Sequence, residues 1–253
     1  MKNDKLVDWL VKRINRNQNV LIMITGGTGS GKSYAALKLA QILSTKFKSR
    51  FTIKNCAFTM KDFMGRINSG DLERGSVIIF DEFGVGMNSR SSLTIANRIF
   101  GFLLQTFRHK NLICIFTSPN FSFVDITARK LFHLWFETFR IDRENKVCHL
   151  KPHLARVEQK TGDLKWTFPK LGLNKVLGRY KIGIPSPKLI KNYEDKKEAY
   201  TKELNHNILE QLESVDMWGR DKKETEKEVK SEKYKEEIGA LAEKIKRHNY
   251  GKF

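Results

Sequence analysis

A chain of 253 residues, 40% of them hydrophobic, is long enough for one large domain or for a domain with an appendage. Its formal charge of +19 argues for a polyanionic partner. No stretch approaches the ~18 apolar residues of a membrane span, no signal-peptide core follows Met1, and Cys56, Cys114 and Cys148 lack metal-ligand spacing; the expectation is a cytoplasmic protein with reduced, buried thiols.

The spacing of Leu6, Val7, Trp9, Leu10 and Ile14 predicts a short amphipathic helix over 5–17. An apolar strand over 19–25 leads into Gly26-Gly27-Thr28-Gly29-Ser30-Gly31-Lys32-Ser33, a complete G-x-x-x-x-G-K-[ST] string, and a helix over 32–47 follows. That context suits a phosphate cradle. Small residues let backbone N–H groups close around phosphate oxygens, the helix N-terminus adds positive potential, and the Lys32 ammonium can reach the β- and γ-phosphates. Ser33 offers a hydroxyl to Mg²⁺. With Tyr34 at the helix start, residues 26–34 form the expected ATP-binding set.

A strand near 51–58 is expected next, then a helix over 60–68 with Thr59 as N-cap. The run Val77-Ile78-Ile79-Phe80 reads as a buried parallel strand, and it ends in Asp81-Glu82. An acid at such a tip stands beside the phosphate loop, where Asp81 can hold Mg²⁺ and Glu82 can deprotonate the attacking water. A helix over 90–108 precedes a second buried strand, 112–116, which ends in Thr117-Ser118-Pro119-Asn120. Thr117, Ser118 or Asn120 could touch the γ-phosphate or the water, although Asn120 could equally satisfy a turn. Multimeric P-loop motors need a cation from a neighbouring subunit; should this chain work in that way, Arg90, Arg98, Arg108 and Arg129 are candidates, with Arg98 and Arg108 favoured and not separable.

After a short helix near 124–131 the pattern turns extended: Leu134–Ile141, a polar turn at 142–145, Lys146–Val157 and a second turn at 160–163. Pro185-Ser186-Pro187 then marks a composition shift, beyond which lie two charged helical patterns, one through Tyr193, Tyr200 and Leu204 and one through Tyr234 and Ile245. Residues 188–253 hold 16 basic and 15 acidic side chains, which leaves 31 basic and 13 acidic, a net of +18, in residues 1–187. The positive charge therefore belongs to the nucleotide-binding part, where non-specific contacts to DNA phosphates would use it. The expected domains are 1–187, basic, and 188–253, a helical extension that could pack on the domain or bind a protein partner.

Taken in order, the phosphate loop, Asp81-Glu82, the Gln105–Lys110 segment with its Arg108-His109 pair, and Asp125-Ile126-Thr127-Ala128-Arg129 resemble ATPases of the HerA/FtsK superfamily. The resemblance is to the zonular-occludens-toxin-like and viral genome-packaging branch and covers about residues 18–170. It implies an α/β P-loop domain of the additional-strand, catalytic-glutamate type, with a mainly parallel central sheet, followed here by a β-hairpin-like block. It further implies a DNA translocase working as a homo-oligomeric ring, usually a hexamer. Two departures stand out: the polar strand tip lacks the Gln often found in that group, and the transmembrane helix of the phage toxin-like proteins is missing. Two alternatives stay open. One is a replication initiator or helicase loader of the AAA+ class, which helices closing over the nucleotide would favour; the other is an ATP-dependent DNA-binding switch without motor activity.

Overall fold

In a computed structural model, residues 4–83, 110–124, 126–170, 176–210 and 212 are described. Contacts divide the chain into two units, Met1–Glu198 and Ala199–Phe253. In the second, residues 199–210 are helical. The expected helices over 90–108 and through Tyr234 lie outside the described residues, as do Arg90, Arg98, Arg108 and Asp125.

The first unit begins with helix α1 (Lys5–Asn15), capped by the Asp4 carboxylate, which accepts from the Leu6 and Val7 N–H groups at 3.2 Å. Strand β1 (Val20–Thr25) is buried throughout and feeds helix α2 (Lys32–Phe47) through the phosphate loop. Instead of a strand over 51–58, a 3₁₀ turn (Ile53–Asn55) leaves only Cys56–Ala57 as β2. The buried Asn55 amide donates to the Val77 carbonyl at 2.9 Å, so a side chain rather than a ladder joins that turn to the sheet. Helix α3 (Met60–Asn68) starts where expected, with the Thr59 hydroxyl accepting from Asp62 N–H at 3.1 Å.

Strands β3 (Val77–Phe80) and β4 (Ile113–Ser118) follow, then a 3₁₀ turn (Phe121–Phe123) and the short helix α4 (Ile126–Arg129). Strands β5 (Leu134–Asp142), β6 (Val147–Val157), β7 (Leu164–Thr167) and β8 (Tyr180–Gly183) complete one eight-stranded sheet in the order β2-β3-β4-β1-β5-β6-β7, with β8 also on β6. All pairs from β2 to β5 are parallel and those made by β6 are antiparallel. The extended block is therefore a continuation of the main sheet, because β5 pairs with β1 on one side through Leu134–Glu137 and with β6 on the other from Leu134 to Asp142.

The register sets the site. Strand β4 stands between β1 and β3 and aligns Phe80 with Phe116 and Ile24 with Thr117. Three chain segments thus leave the same edge together: the loop after Thr25, Asp81 after Phe80, and Thr117-Ser118 at the end of β4. Helix α2 packs on β1, β3 and β4. Another core cluster is aromatic, with Phe63 stacked on Phe80 at 5.3 Å and Phe116 edge-on to Phe132 at 5.5 Å. Truncating one such phenylalanine to alanine costs about 3–5 kcal/mol, so the strand tips are firmly held.

A last helix, α5, begins at residue 187 and reaches the end of the unit. Ser186 precedes it and accepts from Ile190 N–H at 3.0 Å, while Pro187 sits in the first turn, where a missing N–H does no harm.

Candidate nucleotide-binding site

The phosphate loop takes backbone conformations that its glycines allow. Gly26 has φ +153°, and a Cβ there would lie 1.8 Å from Thr138 Oγ1. Gly31 has φ +87° at the N-cap of α2, with Cys148 Sγ and Ile141 Cδ1 3.3 Å from where a Cβ would be. Strands β5 and β6 therefore press against the loop. The Thr138 hydroxyl lies 3.0 Å from the Thr25 carbonyl and 2.7 Å from the Ser30 hydroxyl. Lys32 folds back so that its ammonium donates to the Gly27 carbonyl at 2.8 Å. Burial lowers the Lys32 pKa, with the charges of Asp81 and Glu82 opposing that shift.

Asp81 is completely buried and gathers hydroxyl donors from three elements. Ser33 reaches its two oxygens at 2.9 and 3.1 Å, Thr117 donates to Oδ1 at 2.6 Å, and Tyr193 of α5 donates to Oδ2 at 2.5 Å. A buried carboxylate costs much less when its lone pairs are satisfied in this way. Burial first, and then the charge of Asp81, push the Tyr193 phenol far above its ordinary pKa.

Glu82 has a left-handed backbone, φ +56°, which costs a non-glycine residue about 1 kcal/mol or more. Its N–H donates to Thr117 Oγ1 at 2.8 Å, so one hydroxyl ties both acids to β4. Its carboxylate accepts from Lys197 of α5 at 2.6 Å, and the same ammonium lies 3.8 Å from Asp81. Burial acts to lower the Lys197 pKa, but the bond to Glu82 and the charge of Asp81 outweigh it and raise the value.

Beside these groups lies a cavity of about 710 Å³, lined among others by Lys32, Tyr34, Ile141, Cys148, Tyr193 and Lys197. Its volume falls in the usual range for small-molecule sites, ~300–1,000 Å³. Ser33 and Asp81 also fit Mg²⁺. Their oxygens are hard donors within hydrogen-bond distance of each other, and Mg²⁺ is commonly held by one or two carboxylates plus substrate phosphates and water. Among the described residues no cluster of three or more His, Cys, Asp or Glu forms a closed metal cage, which this arrangement does not need.

The structure thus brings Gly26, Gly27, Thr28, Gly29, Ser30, Gly31, Lys32, Ser33, Tyr34, Asp81 and Glu82 to one edge of the sheet. Asn120 is exposed and uses its side chain to accept from Ser122 N–H at 2.9 Å, satisfying a turn. Arg129 donates to the Val124 carbonyl at 2.8 Å and stands 5.8 Å over the Phe121 ring, bracing its own loop. Thr138, Tyr193 and Lys197 are the site residues that the sequence pattern does not single out. Tyr193 registers there only as an apolar helix position, and Leu189, Tyr193 and Lys197 share an i, i+4, i+8 row with nothing to indicate what the row covers.

No family model and no curated protein matches the chain. Among solved structures it is similar to the N-terminal domain of zonular occludens toxin from Neisseria meningitidis (TM-score 0.37, 13% identity, over 69% of this chain and 98% of that one). It is also similar to the genome packaging NTPase B204 of Sulfolobus turreted icosahedral virus 2 in complex with AMP (0.37, 13%, over 61% and 99%). A third likeness is to Thermotoga maritima RuvB, of which the matched part spans 47% (0.38, 13%, over 57% of this chain). Among the described residues no helix is long and apolar enough to cross a membrane. The chain has an α/β P-loop fold in which the loop, an acidic strand tip and a polar strand end meet at one edge of a mainly parallel sheet.

Proposed function

We propose that this chain is a Mg²⁺-dependent ATPase of the HerA/FtsK kind that moves DNA as a homo-oligomeric ring, a hexamer being the favoured size. The observation that carries the reading is the contact of Ser33 with Asp81 at 2.9 Å, with Glu82 next in the chain. The Gly26–Ser33 loop and Lys32 hold the phosphates, and Ser33 and Asp81 would hold Mg²⁺, which would neutralise charge on the phosphate oxygens. Glu82 takes a proton from water as the water oxygen bonds to the γ-phosphorus. The bond from that phosphorus to the β,γ-bridging oxygen breaks, leaving ADP and inorganic phosphate. Arg98 or Arg108 of a neighbouring subunit completes the site, and an arginine in that role is worth about 10³–10⁵ in rate. Asn120, with its side chain on a turn, is the weakest member of the proposed set.

The net +18 in residues 1–187 supports DNA as the partner, held through phosphates without sequence preference. Three free, buried cysteines suit a reducing cytoplasm. The proposed division of labour keeps 1–187 as the motor domain, to which α5 adds Tyr193 and Lys197, with the C-terminal helical extension beyond α5 contacting a protein partner.

One observation favours the AAA+ alternative: α5 covers the acidic strand tip, as a helical lid would. Against it, strands β6 and β7 extend the sheet beyond β5, where a lid domain would have to begin. The test combines turnover, mass and force. The translocase reading expects DNA-stimulated ATP hydrolysis, assembly with ATP-Mg²⁺ and DNA, and displacement of a third strand from a triplex. Glu82→Gln should cut turnover about 10²–10⁴-fold while nucleotide still binds. Turnover and assembly without strand displacement would favour an initiator, loader or switch. A monomer without DNA-stimulated turnover would sink the motor.

A further inference from the structure

We propose that Lys197 is a second phosphate-binding cation, supplied by the chain's own helix α5, which passes from Glu82 to the terminal phosphate when ATP binds. The inference rests on the nucleotide-site reading above and assigns it a catalytic residue that no motif marks.

The geometry carries it in three steps. First, α5 is anchored independently of Lys197. Tyr193 is 2% exposed, bonds to Asp81 and packs its ring on Phe58 at 5.9 Å and edge-on to Tyr34 at 6.5 Å. Gln41 of α2 exchanges hydrogen bonds with Ser186 at 2.7 and 3.1 Å, and the Lys196 ammonium donates to the Cys56 carbonyl. The helix is therefore a fixed arm and the Lys197 stem its movable end. Second, the Lys197 side chain is 29% exposed and lines the same cavity as Lys32 and the loop. Third, its partner is the proposed base itself, at 2.6 Å.

An ammonium on Glu82 Oε1 stabilises the carboxylate anion and so makes it a weaker base towards water. A triphosphate entering the cavity brings several negative charges and offers the ammonium a stronger acceptor than one carboxylate. Lys197 then contacts the terminal phosphate, Glu82 is released to the water, and loss of the terminal phosphate returns the lysine to Glu82. Base activation is thereby tied to the presence of a γ-phosphate, which ADP lacks.

The test measures equilibrium binding of a non-hydrolysable ATP analogue and of ADP to the full chain. Lys197→Ala should weaken the analogue about tenfold or more while ADP changes less than about twofold, and Lys197→Arg should restore most of the difference. Equal losses for both nucleotides, or no loss, would overturn the proposal. Glu82→Gln gives a second arm that does not depend on the alanine variant's stability. It should tighten analogue binding severalfold in the otherwise unchanged chain and have no effect alongside Lys197→Arg's charge-free counterpart, Lys197→Met; the same gain in both backgrounds overturns the exchange. Failure of the unaltered chain to bind either nucleotide, with Lys32→Ala behaving identically, overturns the nucleotide site as a whole, an outcome distinct from lost discrimination alone.

Discussion

The site has two walls made in different ways. One comprises the phosphate loop, Asp81-Glu82 and Thr117, all leaving the parallel sheet where neighbouring strands end. The other comprises β5, β6 and α5, and its bonds to the first wall span long stretches of chain: 108 residues from Ser30 to Thr138, 112 from Asp81 to Tyr193 and 115 from Glu82 to Lys197. The first wall supplies the chemistry common to phosphate-binding loops. The second decides how close the backbone approaches, which donors Asp81 keeps, and when Glu82 is available.

The largest expected effect comes from forcing the walls apart at their tightest contact. Gly26→Ala would put a Cβ 1.8 Å from Thr138 Oγ1 at φ +153°. Overpacking and backbone strain together should destabilise the protein by about 3 kcal/mol and weaken nucleotide binding. Thr138→Ala in the same chain should restore part of the stability, because the clashing hydroxyl is gone, but not the part due to φ. Urea unfolding of the single and double variants checks this, and a harmless Gly26→Ala would show that the walls do not meet there.

These contrasts explain what was legible in the sequence. The phosphate loop, the helix after it and the Thr59 cap depend on interactions within a few residues, and their residue types carry that physics directly. Buried parallel strands such as Val77–Phe80 announce themselves as unbroken apolar runs. Of the strand expected near 51–58 only Cys56–Ala57 forms, because a 3₁₀ turn takes up 53–55 and the Asn55 side chain, in place of ladder bonds, ties it to the sheet. The second wall was illegible for a different reason. Thr138, Tyr193 and Lys197 are ordinary residues whose roles arise only when distant segments fold together, and nothing local distinguishes a helix row over an active site from one over any other surface.

The seam between the walls carries a pH-sensitive link. His133, just before β5, accepts from Leu21 N–H of β1 at 3.0 Å through Nδ1, which requires a neutral ring. Burial first, and then the nearby charge of Arg13, push its pKa down to about 3. The unfolded chain, with an ordinary value of about 6.5, binds this proton more readily at any pH between the two. The folded state is therefore fully supported above about pH 6.5 and loses up to about 1.4 kcal/mol per pH unit as pH falls towards 3. Denaturant titrations at pH 7 and pH 5 should differ by about 2 kcal/mol from this group. Replacing His133 with Gln, which keeps an acceptor but no titration, should flatten that limb; an unchanged slope would place the acid sensitivity elsewhere.

The smallest effect tests whether the second wall is seated before any nucleotide arrives. Tyr193→Phe keeps the ring against Phe58 and Tyr34 and removes only the hydroxyl that donates to Asp81. Asp81 retains Ser33 and Thr117, so the loss is one charge-assisted hydrogen bond without an orphaned carboxylate, worth about 1–2 kcal/mol. Thr117→Val is the matched change on the first wall. It removes a donor from Asp81 and also leaves the Glu82 N–H without its acceptor, so it should cost more. If α5 is docked in the nucleotide-free protein, both variants lower urea stability, with Thr117→Val the larger. A Tyr193→Phe chain as stable as the original, beside a destabilised Thr117→Val chain, would mean that the acids are held by the sheet alone and that α5 joins them later.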